Sequence, residues 1–251
     1  MHKKTLLTTL LTLTLTLPGL TLTSVTAFAA RKSKGEVVLS KDGRMISITN
    51  GASAPSRAQV APSRAGLVTI FDNIGKTYPK GTYWCCEGAS ITGPNASPFL
   101  PEYWLAVAFT PGANYTVTQL EVAISLFTGK DELFLSLYND VGGLPGTAIK
   151  TWLMGGLPTF GTCCAIDTKS DGAGIPVTAG TQYWIVVGTT GENSDTFADW
   201  NVEDIDQVDT YTVPTAYYCS ADKGGNCGNN DAWSLDTGGS NQGPAFAVLG
   251  R

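Results

Sequence analysis

The sequence predicts an all-β protein, an antiparallel β-sandwich or jelly roll with long loops, and three observations support this fold class. Charged residues make up only 15% of the chain, against about 25% in typical globular proteins. Glycine is frequent, with 29 residues, and segments rich in Gly, Asp and Pro separate the apolar segments as turns do. The apolar residues alternate with period two, which is typical of strands, and no long segment has helical periodicity.

The alternation locates the strands individually. Residues 118–127 carry apolar side chains at every second position and predict one continuous strand, and residues 132–138 show the same pattern. Residues 182–187 are apolar on both faces, so this strand is predicted to be buried on both sides. Gly-rich turns are predicted at 139–143 and 179–181. Further strands are predicted at 103–109, 148–153, 232–235 and 245–249.

The first 29 residues have the features of a secretory signal peptide. A basic start at residues 2–4 precedes an apolar segment at 6–22, and Ala27-Phe28-Ala29 supplies the small-x-small cleavage pattern. We therefore expect cleavage after Ala29 and a secreted, extracellular protein. Cleavage would also remove His2, the only histidine, and with it imidazole-based catalysis and metal binding.

Residues 30–66 are predicted to form a basic tail and linker before a single domain at 67–251. Residues 37–48 indicate a small hairpin around an Asp-Gly turn, which would be marginally stable alone. The sequence Ala-Pro-Ser-Arg-Ala then occurs twice, at 54–58 and 61–65. Such segments bury little apolar surface and are typical of an extended tether.

Charge is divided unevenly between these two parts. Residues 31–64 contain seven basic and two acidic residues, a net charge of +5, whereas residues 67–251 contain seven basic and nineteen acidic residues, a net charge of −12. An acidic domain repels phosphate backbones, so we expect no nucleic-acid partner. A solvated linker explains the basic tail, and contact with an anionic surface is the alternative. No second hydrophobic segment indicates a transmembrane anchor.

Several turn and strand motifs between residues 108 and 248 form a recognisable set. They are Ala108-Phe109-Thr110, 120–124, 135–140, Gly142-Gly143-Leu144-Pro145-Gly146-Thr147, 179–184 and 244–248. Together they resemble the choice-of-anchor domains of secreted bacterial proteins, closest to the R type. The resemblance implies a β-sandwich in an exported bacterial protein, and it supplies no catalytic residues.

The six cysteines suggest disulfides, because an even number is usual in exported proteins. We expect Cys219 and Cys227 to close a Gly-rich loop, and at least one bridge to join the two vicinal pairs. Each bridge would stabilise the fold by roughly 2–4 kcal/mol. A four-thiolate zinc site is the alternative, although adjacent ligands are poorly spaced for it, and disulfides within a pair are another. The vicinal pairs are Cys85 with Cys86 and Cys163 with Cys164.

An acidic stretch at residues 192–209 is the candidate metal site. Clustered carboxylates in a loop suit Ca²⁺, which takes six to eight oxygen ligands, so we expect either no cofactor or a structural Ca²⁺. An exposed acidic loop is the simpler explanation, and a pair of these carboxylates acting in glycan cleavage is a third. The candidate ligands are Asp195, Asp199, Glu203, Asp204 and Asp206.

Aromatic residues in polar, loop-rich sequence are the candidate ligand-binding residues. Trp and Tyr stack on sugar rings because each offers a flat apolar face with a polar edge. Trp104 and Trp184 lie in apolar strands and are expected in the core. The candidates are Trp200, Trp233, Tyr217 and Tyr218.

These features predict a secreted, non-catalytic binding or surface-interaction module, whose partner is an extracellular polysaccharide or a surface protein. A structural protein of the extracellular matrix is the alternative. A carboxylate-based glycan-cleaving enzyme is less favoured, since no nucleophile or acid/base pair stands out.

Overall fold

A computed structural model describes most of the chain. It describes the backbone at residues 25–26, 35–39 and 45–49, together with residues 63–74, 87–97, 101–161, 166–191, 194–202, 214–220, 232–236 and 243–251. These residues form strands, turns and loops but no helix, which confirms the all-β prediction. Accordingly, the described residues include no helix capable of spanning a membrane.

The strands are numbered in chain order. They are β1 (Val25–Thr26), β2 (Gly35–Leu39), β3 (Met45–Thr49), β4 (Val68–Asp72), β5 (Glu87–Thr92), β6 (Tyr103–Phe109), β7 (Tyr115–Val122), β8 (Ile124–Thr128), β9 (Leu133–Val141), β10 (Leu144–Met154), β11 (Asp167–Val177), β12 (Tyr183–Thr189), β13 (Phe197–Asn201), β14 (Thr215–Cys219), β15 (Ala232–Leu235) and β16 (Phe246–Gly250).

Two antiparallel sheets pack against each other as a β-sandwich and do not close into a barrel. The large sheet has 12 strands, in the order β1-β2-β3-β5-β6-β12-β9-β10, with β8, β13, β14 and β15 as side branches. The small sheet has the order β11-β7-β16-β4. The core lies between them and draws on both sheets; its members include Leu105, Val107, Leu135 and Ile185 from the large sheet and Leu120, Val122, Phe246 and Val248 from the small one.

β12 is buried on both faces, as its sequence predicts. Tyr183, Ile185 and Val187 point into the core between the sheets. Trp184 and Val186 point the other way and belong to a separate apolar cluster on the outside of the large sheet. The outer face of this sheet is therefore apolar around β12, which sets up the site described below.

The predicted strand at 118–127 is wrong, because it is two strands in two different sheets. β7 ends at Val122 in the small sheet, and β8 begins at Ile124 beside β13 of the large sheet. Ala123 makes the crossing, with its N–H bonded to the Ala245 carbonyl at 3.1 Å. The alternation continues through the crossing, since Val122 and Ile124 both lie in the core, and changes phase only further along β8, where Phe127 is buried in the core in place of Leu126.

The N-terminal hairpin predicted around residues 37–48 is present as the β2–β3 pair, in which Val38 faces Ile46. The loop that joins the two strands lies outside the described residues. β3 pairs in turn with β5, where Ile46 faces Ala89. Backbone pairing of this kind attaches the hairpin to the edge of the large sheet and meets the need of a two-stranded hairpin for further support.

The β9–β10 hairpin confirms the turn predicted at 139–143. Val141 pairs with Leu144, which leaves two glycines as the connection. Gly142 has φ 65° and Gly143 has φ 84°. A two-residue hairpin loop with positive φ at both positions follows the right-handed twist of its strands, and glycine adopts it without steric cost.

Candidate functional site

The outer side of the large sheet carries a continuous face across six strands, β10, β9, β12, β6, β14 and β15. Antiparallel register places side chains in rows that cross the strands, because directly paired residues point to the same side. We call this surface the aromatic face. Its rows are Leu153, Phe134, Gly188, Trp104, Tyr218 and Trp233; then Thr151, Ser136, Val186, Ala106, Ala216 and Leu235; then Ala148, Tyr138, Trp184 and Ala108.

The first row is a chain of four aromatic rings. Phe134 meets Trp104 edge to face with centroids 5.0 Å apart, Trp104 lies 4.9 Å from Tyr218, and Tyr218 lies 6.0 Å from Trp233. Gly188 sits between the strands of Phe134 and Trp104. A Cβ at that position would lie 2.6 Å from the indole and 2.7 Å from the phenyl ring. The absence of a side chain at Gly188 is what allows these two rings to meet.

Burial divides the face into a floor and two borders. Ala106, Ala216 and Val186 are fully buried and form a floor of small and medium-sized side chains. The four rings of the first row are half-buried along one border, as is Tyr138 along the other. Two leucines lie at opposite edges: Leu153 is 74% exposed and Leu235 is 47% exposed. The large side chains therefore retain surface that a ligand can contact.

None of the sixteen residues in these three rows is charged. Two carboxylates that border the rows, Glu102 and Asp140, accept hydrogen bonds from aromatic side chains of the face. Glu102 accepts hydrogen bonds from Trp104 Nε1 at 3.0 Å and from Thr189 Oγ1 at 3.4 Å. These bonds orient the indole of Trp104 from one border of the face.

Asp140 orients the indole of Trp184 at the other border of the face. Its Oδ1 accepts from Trp184 Nε1 at 2.7 Å and from Gln182 Nε2 at 2.8 Å, and its Oδ2 accepts from the Gly143 N–H at 3.0 Å. Burial opposes ionisation of this carboxyl, but the three hydrogen bonds outweigh it and lower the pKa of Asp140 below its ordinary value. At neutral pH Asp140 is thus an ionised anchor for the buried Trp184.

The four predicted aromatic candidates separate into two pairs. Tyr218 and Trp233 lie on the aromatic face. Tyr217 points the opposite way and stacks on the core residue Tyr103, with centroids 5.5 Å apart. Trp200 is 0% exposed and donates its indole N–H to the Ala245 carbonyl at 2.9 Å. Its polar sequence context suggested a loop, but β13 carries Trp200 into the core, so its side chain presents no ligand-binding surface.

Three half-buried aromatic residues of the face were not among the sequence candidates: Phe134, Tyr138 and Trp104. Trp104 was expected in the core, yet its neighbours Tyr103 and Leu105 take the core positions and leave it on the outer side. Alternation along β6 predicts that opposite facing. The alternation within each strand shows which side chains point outward. Only the pairing register between strands shows that these side chains share one face.

The predicted calcium ligands fall partly outside the described residues, which exclude Glu203, Asp204 and Asp206. Asp195 accepts a hydrogen bond from the Lys130 N–H at 3.0 Å, just after β8. Asp199 is fully buried at the centre of β13, where its Oδ1 accepts from Ser90 Oγ at 3.1 Å. The two carboxylates serve different neighbours, and the described part of the chain contains no group of three or more residues able to hold a metal ion.

Cys219 at the end of β14 is 3% exposed and is disulfide-bonded. The predicted bridge to Cys227 and the bridges predicted between the vicinal pairs involve residues outside the described ranges: Cys85, Cys86, Cys163, Cys164 and Cys227. Because Cys219 follows Tyr218 directly, this cross-link lies beside the aromatic face and restrains the strand that supplies one of its rings.

The outer side of the small sheet is built in the opposite way, from charges. Arg64 donates to Glu121 Oε2 from Nε at 3.0 Å and from Nη2 at 2.5 Å, and it donates to Asp72 Oδ2 from Nη1 at 2.5 Å. Gln119 Nε2 donates to the other oxygen of Glu121 at 2.7 Å. Ala247 pairs with both acidic residues in register, so the guanidinium bridges them over a small side chain. We call this group the Arg64 clamp.

In comparisons with protein-family models, curated proteins and solved structures, no match was found.

Proposed function

We propose that this protein is a secreted, non-catalytic carbohydrate-binding module that holds polysaccharide on the aromatic face. One observation carries the proposal: four half-buried aromatic rings follow one another across the large sheet on an uncharged surface. The C–H faces of sugar rings are apolar, whereas their hydroxyls lie at the edge, so flat aromatic side chains with polar edges match them. The predicted signal peptide and the resemblance to exported choice-of-anchor domains support the extracellular setting.

Rigid support favours this function over incidental exposure of hydrophobic side chains. Trp104 and Trp184 are each fixed by a carboxylate hydrogen bond, and the disulfide at Cys219 restrains the strand that carries Tyr218. Side chains held in place before binding lose little conformational freedom when a ligand arrives. A rigid aromatic surface therefore suits an uncharged polymer whose sugar rings present apolar C–H faces.

The test is electrophoresis of the secreted chain through native gels that contain a soluble polysaccharide, with unrelated proteins as mobility standards. We expect retardation in at least one gel. Tyr218→Ala and Trp233→Ala should each abolish most of it, because each removes one ring of the row. Tyr115→Ala is the matched control, since Tyr115 is also half-buried but lies on β7 of the small sheet.

Retardation that survives both Tyr218→Ala and Trp233→Ala would contradict the assignment of the face.

The exposed Leu153 and Leu235 favour a second candidate, a structural protein that assembles through this surface. That candidate predicts a sedimentation coefficient that rises with protein concentration and falls in a Leu153→Asp, Leu235→Asp variant. Carbohydrate binding by a monomer would contradict it.

A further inference from the structure

We infer that the aromatic face selects uncharged polysaccharides and binds them with the polymer axis running across the strands. The inference rests on the proposed carbohydrate-binding function and adds to it the charge class and the orientation of the ligand.

The charge class follows from what the face lacks and from what borders it. A uronic acid or sulfate group placed on the face would lose part of its hydration, and the sixteen residues of its rows include no cation to compensate it. The carboxylates of Glu102 and Asp140, which are hydrogen-bonded to Trp104 and Trp184 of the rows, would repel it. The net charge of −12 over residues 67–251 acts in the same direction at longer range.

A cationic polysaccharide meets a different difficulty. The overall charge of the domain would attract it at low salt, but that attraction is screened when the Debye length shortens. Glu102 and Asp140 already accept hydrogen bonds from aromatic or neighbouring groups of the face. Cationic sugars should therefore bind loosely and lose affinity with salt, whereas stacking of neutral sugars should be nearly independent of salt.

The orientation follows from the direction of the row. From Phe134 on β9 to Trp233 on β15 the row crosses four strand spacings, in centroid-to-centroid steps of 5.0, 4.9 and 6.0 Å. A polymer lying along this line meets all four rings. A polymer lying along a strand passes from the row onto the floor of Val186, Ala106 and Ala216, which offers no ring to stack on. Even along β9 it meets only two half-buried rings, Phe134 and Tyr138. Affinity should accordingly rise with oligosaccharide length until the ligand spans the row.

The experiment uses matched pairs of probes with the same backbone. Hydroxyethylcellulose, mixed-linkage β-glucan and galactomannan are the neutral probes, and oxidation of their primary hydroxyls to carboxylates gives the anionic partners. Chitosan is the cationic probe. Retardation of the secreted chain is measured in each gel at low and at high salt.

Two exposed positions allow the predicted preference for uncharged over anionic polysaccharide to be reversed. Leu235→Lys and Leu153→Lys each place a cation at an edge of the face, where the leucine is largely solvent-exposed. Val68→Lys is the matched control, because Val68 is 46% exposed on β4 of the small sheet. All three variants raise the net charge equally, so only a local effect can distinguish them.

We expect a neutral probe to be retained at both salt concentrations and its carboxylated form to bind on the order of tenfold more weakly. The Leu→Lys variants should recover binding of the carboxylated form, and Val68→Lys should not. Equal binding of both forms, preference for the carboxylated form, or salt-resistant preference for chitosan would overturn the inference while leaving carbohydrate binding intact. Retention of no probe would instead refute the proposed function itself.

Discussion

The outer sides of the two sheets differ in how their buried residues are covered. Each sheet packs one side into the common core, and its other side carries further buried residues that need partners or cover. The small sheet is finished by a segment of its own chain, because Arg64 covers Glu121 and Asp72. The large sheet is finished over β12 by aromatic side chains that cover small residues and remain half-buried themselves. The carboxylates on the outer side of the small sheet are therefore paired within the protein, whereas the aromatic side chains of the large sheet retain area that a partner can contact.

The difference shows why burial alone is a poor guide to function. Glu121 and Trp184 are both fully buried on outer sides. Glu121 needs its ion pair, because a buried carboxylate without partners is very costly. Trp184 needs only one hydrogen bond for its indole N–H and leaves the surrounding apolar surface uncommitted. Of the two outer sides, the one that keeps surface available for a partner is therefore the apolar, aromatic one.

Breaking the Arg64 clamp should have the largest effect on stability. Arg64→Ala leaves Glu121 buried with only Gln119 as partner, and we expect a loss of about 3 kcal/mol in the free energy of unfolding. Urea denaturation measures it. Lys130→Ala is the control, since it breaks an exposed ion pair with Glu132 and should cost less than about 1 kcal/mol. Equal losses would mean that the clamp contributes no more than a surface ion pair.

Adding one methyl group to the aromatic face should weaken both the fold and the binding surface. Gly188→Ala forces a Cβ against Trp104 and Phe134, so we expect a loss of about 1–3 kcal/mol and reduced polysaccharide retention. Gly155→Ala is the comparison, because no atom lies within 4 Å of a Cβ at that glycine. Unchanged unfolding and retention in Gly188→Ala would show that the two rings are not packed as described.

The smallest effects should appear in the pH dependence. The pKa of Asp140 is lowered in the folded state, so its contribution is present above its ordinary value of 3.8 and is lost as the pH falls through the folded pKa. Asp140→Asn should flatten the acid side of a plot of unfolding free energy against pH. A curve with an unchanged acid side would contradict the anchoring role of this carboxylate.

Asp167 gives a comparison of opposite sign. Burial raises the pKa of Asp167, and the neighbouring Asp131 adds to the shift, although Lys169 opposes both. A raised pKa means that ionisation destabilises the fold as the pH rises. Asp167→Asn should therefore increase stability at neutral pH relative to acidic pH, and a decrease would show that the ion pair with Lys169 outweighs burial.

Alternation along single strands predicted most of the core. Leu133, Leu135 and Leu137 are all buried on one side of β9, and β12 is buried on both sides, as expected. Alternation failed at Ala123, because a chain can continue its apolar pattern while passing from one sheet to another. It also could not place Trp200, whose polar neighbours concealed a core strand.

The grouping of these side chains into one aromatic face could not be predicted from the sequence, for a physical reason. Tyr218 and Trp233 were singled out, yet the partners that make them a row, Trp104 and Phe134, come from strands far away along the chain. Which residues share a row depends on the register between strands. For strands that no short turn joins, the register is set by how their buried faces pack together, which the pattern of one strand does not show.

The most direct test of the account is carbene footprinting of the secreted chain, with and without the neutral polysaccharide that retains it most strongly. We predict reduced labelling at Trp104, Phe134, Tyr218 and Trp233, with unchanged labelling at residues 63–72 around the Arg64 clamp. Protection of the clamp side, or equal labelling of the aromatic face in both samples, would contradict the claim that this face is the binding surface.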